Sequence, residues 1–202
     1  MKKIITLFLC ALIFTFALCS CGGDKLLGKM SKTSYTNSTL NIKIDLPENW
    51  QFANDATRLS MMGLAPSEYS SKEEQNKVIR TLGLIYPALM SNTNTGSTVA
   101  VQLTREGGQN GLDDYADEFL AYLKNDGSVY SKIERSYIEF TGHDAVLIET
   151  IFDLDGTPFS MNYYIYDVEY ENTIYHVSII VTKGTGEYLS IEEVAGIVKK
   201  AK

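Results

Sequence analysis

The sequence predicts one mixed α/β domain in which helices cover both faces of a central, mainly antiparallel sheet. Four stretches between residues 133 and 182 have the alternating pattern of strands and follow one another with only short turns. Amphipathic helical stretches precede and follow them. The last strand is apolar at Tyr175, Val177, Ile179 and Val181 and half apolar on its other side. Both faces of the sheet therefore need a covering layer.

The first half of the chain supplies two strands, a helix and a further strand. Residues 40–46 alternate apolar and polar, and residues 51–58 are predicted to return as a second short strand. Residues 71–74 have the Ser-x-x-Glu pattern of a capping box. They predict a helix whose apolar face runs through residues 78–89. The alternation of residues 98–105 predicts a strand.

The second half supplies a helix, a meander of strands and a final helix. Residues 112–123 form an apolar helical stripe, and acidic residues occupy the first turns, where the helix dipole favours them. A second capping box at Ser190 opens the last helix, whose predicted apolar face extends to Val198. Asp155-Gly156 is a hairpin turn signal. The predicted strands cover residues 133–140, 143–154, 158–170 and 174–182.

The amino-terminal segment has the features of an export signal. Lys2 and Lys3 precede an apolar run of about 15 residues, which is short for a membrane-spanning helix of about 20 residues. Leu18-Cys19-Ser20-Cys21 follows and resembles the lipobox of bacterial lipoprotein precursors. We therefore predict a lipoprotein signal peptide at residues 1–20, a flexible tether at residues 21–34 and one globular domain at residues 35–202.

Cys21 is the predicted lipidation site. Its thiol would form the thioether to diacylglycerol, and stable anchoring takes two acyl chains, such as palmitate. The small Ser20 suits the peptidase, whereas Leu18 before Cys19 is too large. The expected location is extracytoplasmic, on the bacterial cell membrane. The alternative is an uncleaved membrane anchor with incidental cysteines.

The charge of the chain excludes some partners. The formal net charge is −7, and cleavage would remove Lys2 and Lys3. An acidic surface repels phosphate backbones and anionic lipid headgroups, so nucleic acid is not an expected partner. The domain itself is also not expected to adhere to a membrane, which leaves the lipid as the anchor.

The sequence contains no recognisable catalytic or metal centre. His143 and His176 are the only histidines, and a zinc site needs three or four clustered ligands. The Asp-x-Asp-Gly of residues 153–156 lacks the glutamate that a calcium loop requires, so a hairpin turn is the better interpretation. No serine elbow or cysteine nucleophile is present in the predicted domain. No cofactor, no metal and no enzymatic activity are therefore expected.

Two groups of residues are candidates for binding. Tyr163, Tyr164 and Tyr166 lie within one strand and could form a binding face, although packing beneath the helices is the favoured alternative. Trp50, Met61 and Met62 could line a small-ligand pocket, or they could fill the core and a loop.

The mature chain resembles the PsbP-like superfamily, which includes DcrB-type bacterial lipoproteins and Mog-type Ran-binding proteins. The resemblance rests on Tyr35, the strand at 40–46, its exit at residues 47–50 (Pro-Glu-Asn-Trp) and the Gly-His-Asp-Ala start of the strand at 142. It covers residues 35–200 and implies an α/β/α sandwich. Its members are mostly accessory or binding proteins, and no partner-specific motif carries over. Fold analogy does not assign an activity.

The leading expectation for function is a lipid-anchored, non-enzymatic binding or accessory protein of the cell envelope with a possible protein partner there. The alternative is a solute-binding or envelope-stress lipoprotein with a pocket near Trp50, Met61 and Met62. A hydrolase would need clustered acid and base groups, which the sequence does not supply.

Overall fold

The computed structural model describes residues 25–105, 111–125, 130–154, 156–184 and 190–201. The predicted signal peptide, Cys21 and the first residues of the predicted tether lie outside these ranges. The helices are α1 (Asp55–Met61), α2 (Lys72–Ile79), α3 (Leu112–Asn125) and α4 (Ile191–Ala195), with a 3-10 turn at Pro66–Glu68. The strands are β1 (Lys29–Met30), β2 (Ser34–Asn37), β3 (Ile42–Asp45), β4 (Trp50–Phe52), β5 (Leu84–Asn92), β6 (Thr98–Arg105), β7 (Tyr130–Phe140), β8 (His143–Leu154), β9 (Thr157–Tyr170), β10 (Thr173–Thr182) and β11 (Val198–Lys200).

The strands of the described chain form two antiparallel sheets. The large sheet has the order β4-β5-β6-β10-β9-β8-β7, and the small sheet has the order β1-β2-β3-β11. In the large sheet, consecutive hairpins join β7 to β10, and β10 then pairs with β6 from the first half of the chain. The predicted mixed α+β character and antiparallel pairing are confirmed.

The main core lies between the two sheets. Tyr35, Ile42 and Ile44 of the small sheet point inward with Tyr166 and Val177 of the large sheet, and all five are fully buried. The shorter helices α1, α2 and α4 add Leu59, Ile79 and Val194 to this same core. A buried hydrogen bond from the Tyr166 hydroxyl to the Leu40 carbonyl, 3.0 Å long, links the two layers.

The opposite face of the large sheet is covered by α3. Ala116 and Leu123 of this helix pack against Val146, Ile148 and Ile165. One face therefore carries a helix, whereas the other carries a small sheet and three short helices. The predicted α/β/α layering is not confirmed, because β1, β2, β3 and β11 bury one apolar face together instead of leaving that role to helices.

The described part of the predicted tether is folded. Leu26 is fully buried, and its carbonyl accepts a 2.9 Å hydrogen bond from the buried Asn37 amide. β1 pairs with β2 immediately afterwards. Gly28, at φ +72°, permits the tight approach between them, since a Cβ there would lie 2.8 Å from the Thr36 carbonyl. The predicted flexible tether, residues 21–34, is therefore wrong from residue 26 onward, because Leu26 and Leu27 are buried in the main core.

Two predicted helices are shorter than the sequence suggested. α2 begins at its predicted Ser71 cap but ends at Ile79, and the residues of its expected apolar face from Leu84 onward form β5. Pro87 cannot continue a helix, and it sits within the register shift of the pairing with β6. α4 likewise ends at Ala195, and Val198 begins a strand.

The predicted second strand is only partly correct. β4 ends at Phe52, and the Asn54 side chain then accepts a 2.8 Å hydrogen bond from the Thr57 amide. This N-cap starts α1, so residues 55–58 are helical. The bounds of β6 and β8 match the prediction, and the hairpin between β8 and β9 contains Gly156 at φ +81°.

Candidate functional site

The three candidate tyrosines of β9 lie on different faces of the large sheet. Tyr164 and Tyr166 face the main core, with exposed fractions of 7% and 0%. Tyr163 faces α3, where its ring packs edge-on against Phe119 with centroids 4.8 Å apart. The alternation of a strand separates neighbouring side chains in this way. These tyrosines therefore pack, and they present no common exposed face.

Trp50, Met61 and Met62 do not gather around one cleft. Trp50 is 8% exposed and belongs to the main core, whereas Met61 is an exposed residue of α1. The Met62 sulfur accepts a 3.4 Å hydrogen bond from the Tyr86 amide and packs against the core. Neither of the two clefts described below is lined by any of these three residues.

The larger cleft, which we call the α3 cleft, lies between the start of α3 and the edge of the large sheet. Its volume of about 680 Å³ falls in the range of small-ligand sites. Tyr137 of β7 lines this cleft and is 70% exposed. The lining residues are Gly111, Leu112, Asp113, Asp114, Tyr137, Ile138, Glu139, Asp144 and Ala145.

A hydrogen-bonded group fixes one wall of the α3 cleft. The Tyr137 hydroxyl donates to Asp113 over 2.8 Å, and the Arg135 guanidinium donates to both Asp113 and Asp117. The hydrogen bond to Asp113 raises the pKa of Tyr137 above its ordinary value. Arg135 also lies 5.2 Å from the centre of the Tyr137 ring. Asp114, Glu139 and Asp144 leave the cleft acidic, which suits a ligand that is cationic or rich in hydrogen-bond donors.

A smaller cleft of about 360 Å³ lies between the amino-terminal segment and the helices α1 and α2. Arg58 is buried at its base and donates to the Pro87 carbonyl over 2.9 Å and to Asp55 over 2.8 Å. Lys72 also donates to Asp55. Burial opposes ionisation of Asp55, but the hydrogen bonds from Lys72 and Arg58 outweigh it and lower the pKa of this carboxyl. This ion group connects α1, α2 and β5.

Both histidines pack against the ring of a tyrosine. His176 is 1% exposed, its Nδ1 lies 2.7 Å from an Asp167 oxygen, and its ring stacks on Tyr115 with centroids 4.0 Å apart. His143 stacks on Tyr166, and burial followed by the charge of Lys200 lowers its pKa. Within the described segments, no three His, Cys, Asp or Glu side chains converge as a metal site would require.

None of the helices in the described ranges is long and apolar enough to cross a membrane. The predicted lipidation site, Cys21, lies outside those ranges. Four residues separate it from Leu26, the first buried residue of the described core.

Comparison with known proteins identifies a fold but no family. The fold is shared with LpqN. The crystal structure of this protein, described as involved in cell envelope biogenesis of Mycobacterium tuberculosis, superposes with a TM-score of 0.52 at 10% sequence identity, over 86% of this chain and 87% of LpqN. A structure from Bacteroides thetaiotaomicron VPI-5482 covers 86% of this chain and 50% of that chain, with a TM-score of 0.45 at 13% identity. No family model and no curated protein sequence match the chain.

Sequence reasoning did not find the α3 cleft. The sequence shows Asp113 and Asp117 only as favourable charges in the first turns of a helix. Arg135 and Tyr137 lie two residues apart, so they share one face of the predicted strand. This pair of a cation and an aromatic residue, on what proves to be an edge strand, was the sequence signal that could have indicated the cleft. Its link to the helix depends on packing between elements that are distant in the chain.

Proposed function

We propose that this chain is a lipid-anchored accessory protein of the bacterial cell envelope, which binds a partner outside the cytoplasm and is not an enzyme. The observation that carries the proposal is the lipobox-like Leu18-Cys19-Ser20-Cys21, which ends a short distance before the folded domain. Leu26 is fully buried only five positions after this cysteine. Lipid on Cys21 would therefore hold the whole domain directly at the bilayer surface.

Two independent observations support the envelope location. The apolar run and the lipobox-like Leu18-Cys19-Ser20-Cys21 provide an export and lipidation signal in the sequence. LpqN, which has the same fold, is described as a protein of cell envelope biogenesis. Fold similarity at 10% identity carries no activity with it, so the localisation signal is the stronger support.

The surroundings of the polar residues favour binding over catalysis. A general base must reach a substrate, and the imidazole of His176 is buried beneath Tyr115 and paired with Asp167. Arg135 and Asp113 hold each other and the Tyr137 hydroxyl in the wall of the α3 cleft. This arrangement fixes the shape of an exposed surface, as a binding site requires.

Matched cysteine variants test the anchor. We expect Cys21→Ser to abolish acylation, measured by incorporation of a labelled fatty acid, and to remove the protein from the membrane fraction. Cys19→Ser makes the same chemical change two residues earlier and is expected to leave acylation and fractionation unchanged. A Cys21→Ser protein that is processed and fractionates like the wild type would overturn the proposal, as would loss of acylation in Cys19→Ser.

Small-ligand binding is the second candidate function, and the volume of the α3 cleft favours it. A ligand in this cleft would not contact Trp50, Met61 or Met62, which do not line it. A thermal-shift screen of the chain from residue 22 should then reveal stabilisation by one class of polar or cationic metabolite. Tyr137→Ala should remove that stabilisation, and Tyr122→Ala, at a comparably exposed tyrosine of α3, should retain it. Equal loss in both variants would exclude the cleft as the site.

A further inference from the structure

The exposed face of the small sheet carries a row of lysines. Directly paired residues in an antiparallel sheet point to the same face. Lys29 pairs with Thr36, Thr36 with Lys43, and Lys43 with Lys199. The neighbouring row, which contains Tyr35, faces the core. One line across all four strands, which we call the lysine row, therefore places three ammonium groups on the outer face.

The small sheet differs in charge from the rest of the chain. Residues 25–45 and 198–201, which contain its four strands, have six lysines and one aspartate. The chain as a whole has a formal net charge of −7. Asp45 is that aspartate, and it lies 2.8 Å from the Lys43 ammonium group. Positive charge is thus concentrated on one layer of an otherwise acidic protein.

The register of the lysine row places two like charges on directly paired residues, and Asp45 lies beside only one of them. Like charges directly opposite each other on neighbouring strands are destabilising. Lys43 and Lys199 occupy such a position between β3 and β11. An anionic surface placed against this face would turn the repulsion into favourable contacts, because each lysine near an anionic membrane is attracted to it.

A short stretch of chain joins the predicted lipidation site, Cys21, to the small sheet. Only four residues lie between Cys21 and Leu26, so the distance from the cysteine to the buried leucine is at most about 18 Å. Lys29 and β1 follow three residues later. The layer of the domain that is joined to the anchor is therefore the layer that carries the positive charge.

We propose that the exposed face of the small sheet, centred on Lys29, Lys43 and Lys199, rests on anionic phospholipid headgroups and orients the anchored domain. This inference rests on the proposed lipid anchor, which supplies the proximity. It departs from the expectation, based on net charge, that the domain would have no affinity for a membrane. The wall of the α3 cleft that Tyr137 and the start of α3 form, on the opposite face of the large sheet, is then directed away from the bilayer.

Lysine labelling on synthetic vesicles tests the orientation. Every buried hydrophobic residue of the described chain lies between Leu26 and Val198, so a chain that begins at Cys21 retains this core. That chain has one cysteine, which can be coupled to a maleimide lipid. Coupled protein would be prepared on phosphatidylcholine vesicles and on vesicles with about 30% phosphatidylglycerol. Acetylation by an impermeant ester would then be followed at each lysine by peptide mass spectrometry.

We expect acetylation of Lys29, Lys43 and Lys199 to slow by at least about threefold on the anionic vesicles at low salt. Exposed lysines of the helices, Lys77 and Lys124, serve as internal controls and should react equally on both vesicles. The protection should disappear at high ionic strength, because salt screens exposed charges.

Three results would overturn the inference: equal rates on the two vesicles, equal slowing of all lysines, or protection that survives high salt. The synthetic coupling makes the test independent of lipidation in the cell. Failure here would leave the anchor at Cys21 standing, and failure of the Cys21→Ser experiment would not alter the labelling result.

Discussion

Lys43 of β3 and Lys199 of β11 lie directly opposite each other in the small sheet, although 156 positions separate them in the chain. The pairing joins the last strand of the fold to one of the first. It also sets two like charges side by side on an exposed face. Asp45, 2.8 Å from the Lys43 ammonium group, offsets part of the repulsion between the two lysines.

The charge pairing predicts a stabilising substitution. Lys199→Glu would replace repulsion of Lys43 by attraction, and we expect the free energy of unfolding to rise by about 0.2–1 kcal/mol. Lys32→Glu makes the same charge change at an exposed residue between β1 and β2, and it should give no such gain. Urea denaturation measures both. On anionic vesicles, Lys199→Glu should also increase the acetylation of Lys29 and Lys43. Equal stability of the two variants would contradict the assigned register.

The lowered pKa of Asp55 predicts that the stability of the fold depends on pH. Its pKa is lowered in the folded protein, so its contribution to stability is fully present above about pH 4 and is lost as the pH falls through the folded value. Asp55→Asn should therefore lower the urea midpoint at pH 7 and flatten its decline as the pH falls below about 4. Lys72→Gln removes only the exposed partner and should give a partial effect. If plots of the urea midpoint against pH are parallel for Asp55→Asn and the wild type, Asp55 does not cause the pH dependence.

The close packing around Gly184, just after β10, predicts that any larger residue there is destabilising. A Cβ at this position would lie 1.8 Å from the Thr95 carbonyl oxygen, and the Gly184 amide donates to the Ser97 hydroxyl. We expect Gly184→Ala to lower the free energy of unfolding by about 1–3 kcal/mol, because backbone must move to admit the methyl group.

Gly83 offers a matched control, since no atom lies within 4 Å of the position that an alanine methyl group would occupy there. Gly83→Ala should change stability little, or raise it slightly by restricting the unfolded chain. Chemical denaturation of the two variants side by side decides the matter. The close approach would be disproved by a Gly184→Ala protein as stable as Gly83→Ala.

The burial of tyrosines predicts a pattern of chemical modification. Tyr122 and Tyr137 are 64% and 70% exposed, whereas burial raises the pKa of Tyr164 and Tyr166. Nitration requires an accessible phenolate, so tetranitromethane at about pH 8 should modify Tyr122 in the native protein, and Tyr164 and Tyr166 only after unfolding. Tyr137 should react more slowly than Tyr122, because its hydroxyl donates to Asp113 and its pKa is raised. Peptide mapping gives the order of reaction. Native-state nitration of Tyr164 at the rate of Tyr122 would restore the tyrosine face as a binding surface.

Local patterns in the sequence predicted the long elements well. β6 and β8 have their predicted bounds, because apolar and β-branched residues run through both strands and glycines flank each of them in the sequence. The Ser190 capping box forms as predicted, with Glu193 reciprocating the hydrogen bond. The apolar stripe of α3 packs on the sheet through Ala116 and Leu123. Each of these features depends on neighbours in the chain.

Features that depend on distant pairing were not predictable. The apolar residues after Ile79 fit a helix as well as a strand, and the choice was made by pairing of β5 with β6. Val198 likewise leaves the predicted helix because β11 pairs with β3. The lysine row and the α3 cleft exist only through such contacts. A single sequence shows the charges but does not show which of them share a surface.

The lipid anchor is tested most sharply by the mass of the amino-terminal peptide of the mature protein, isolated from cell membranes. We expect the chain to begin at Cys21 and its first peptide to carry a diacylglyceryl thioether. A terminus at another residue, or an unmodified thiol on Cys21 in the membrane-bound protein, would contradict the anchor.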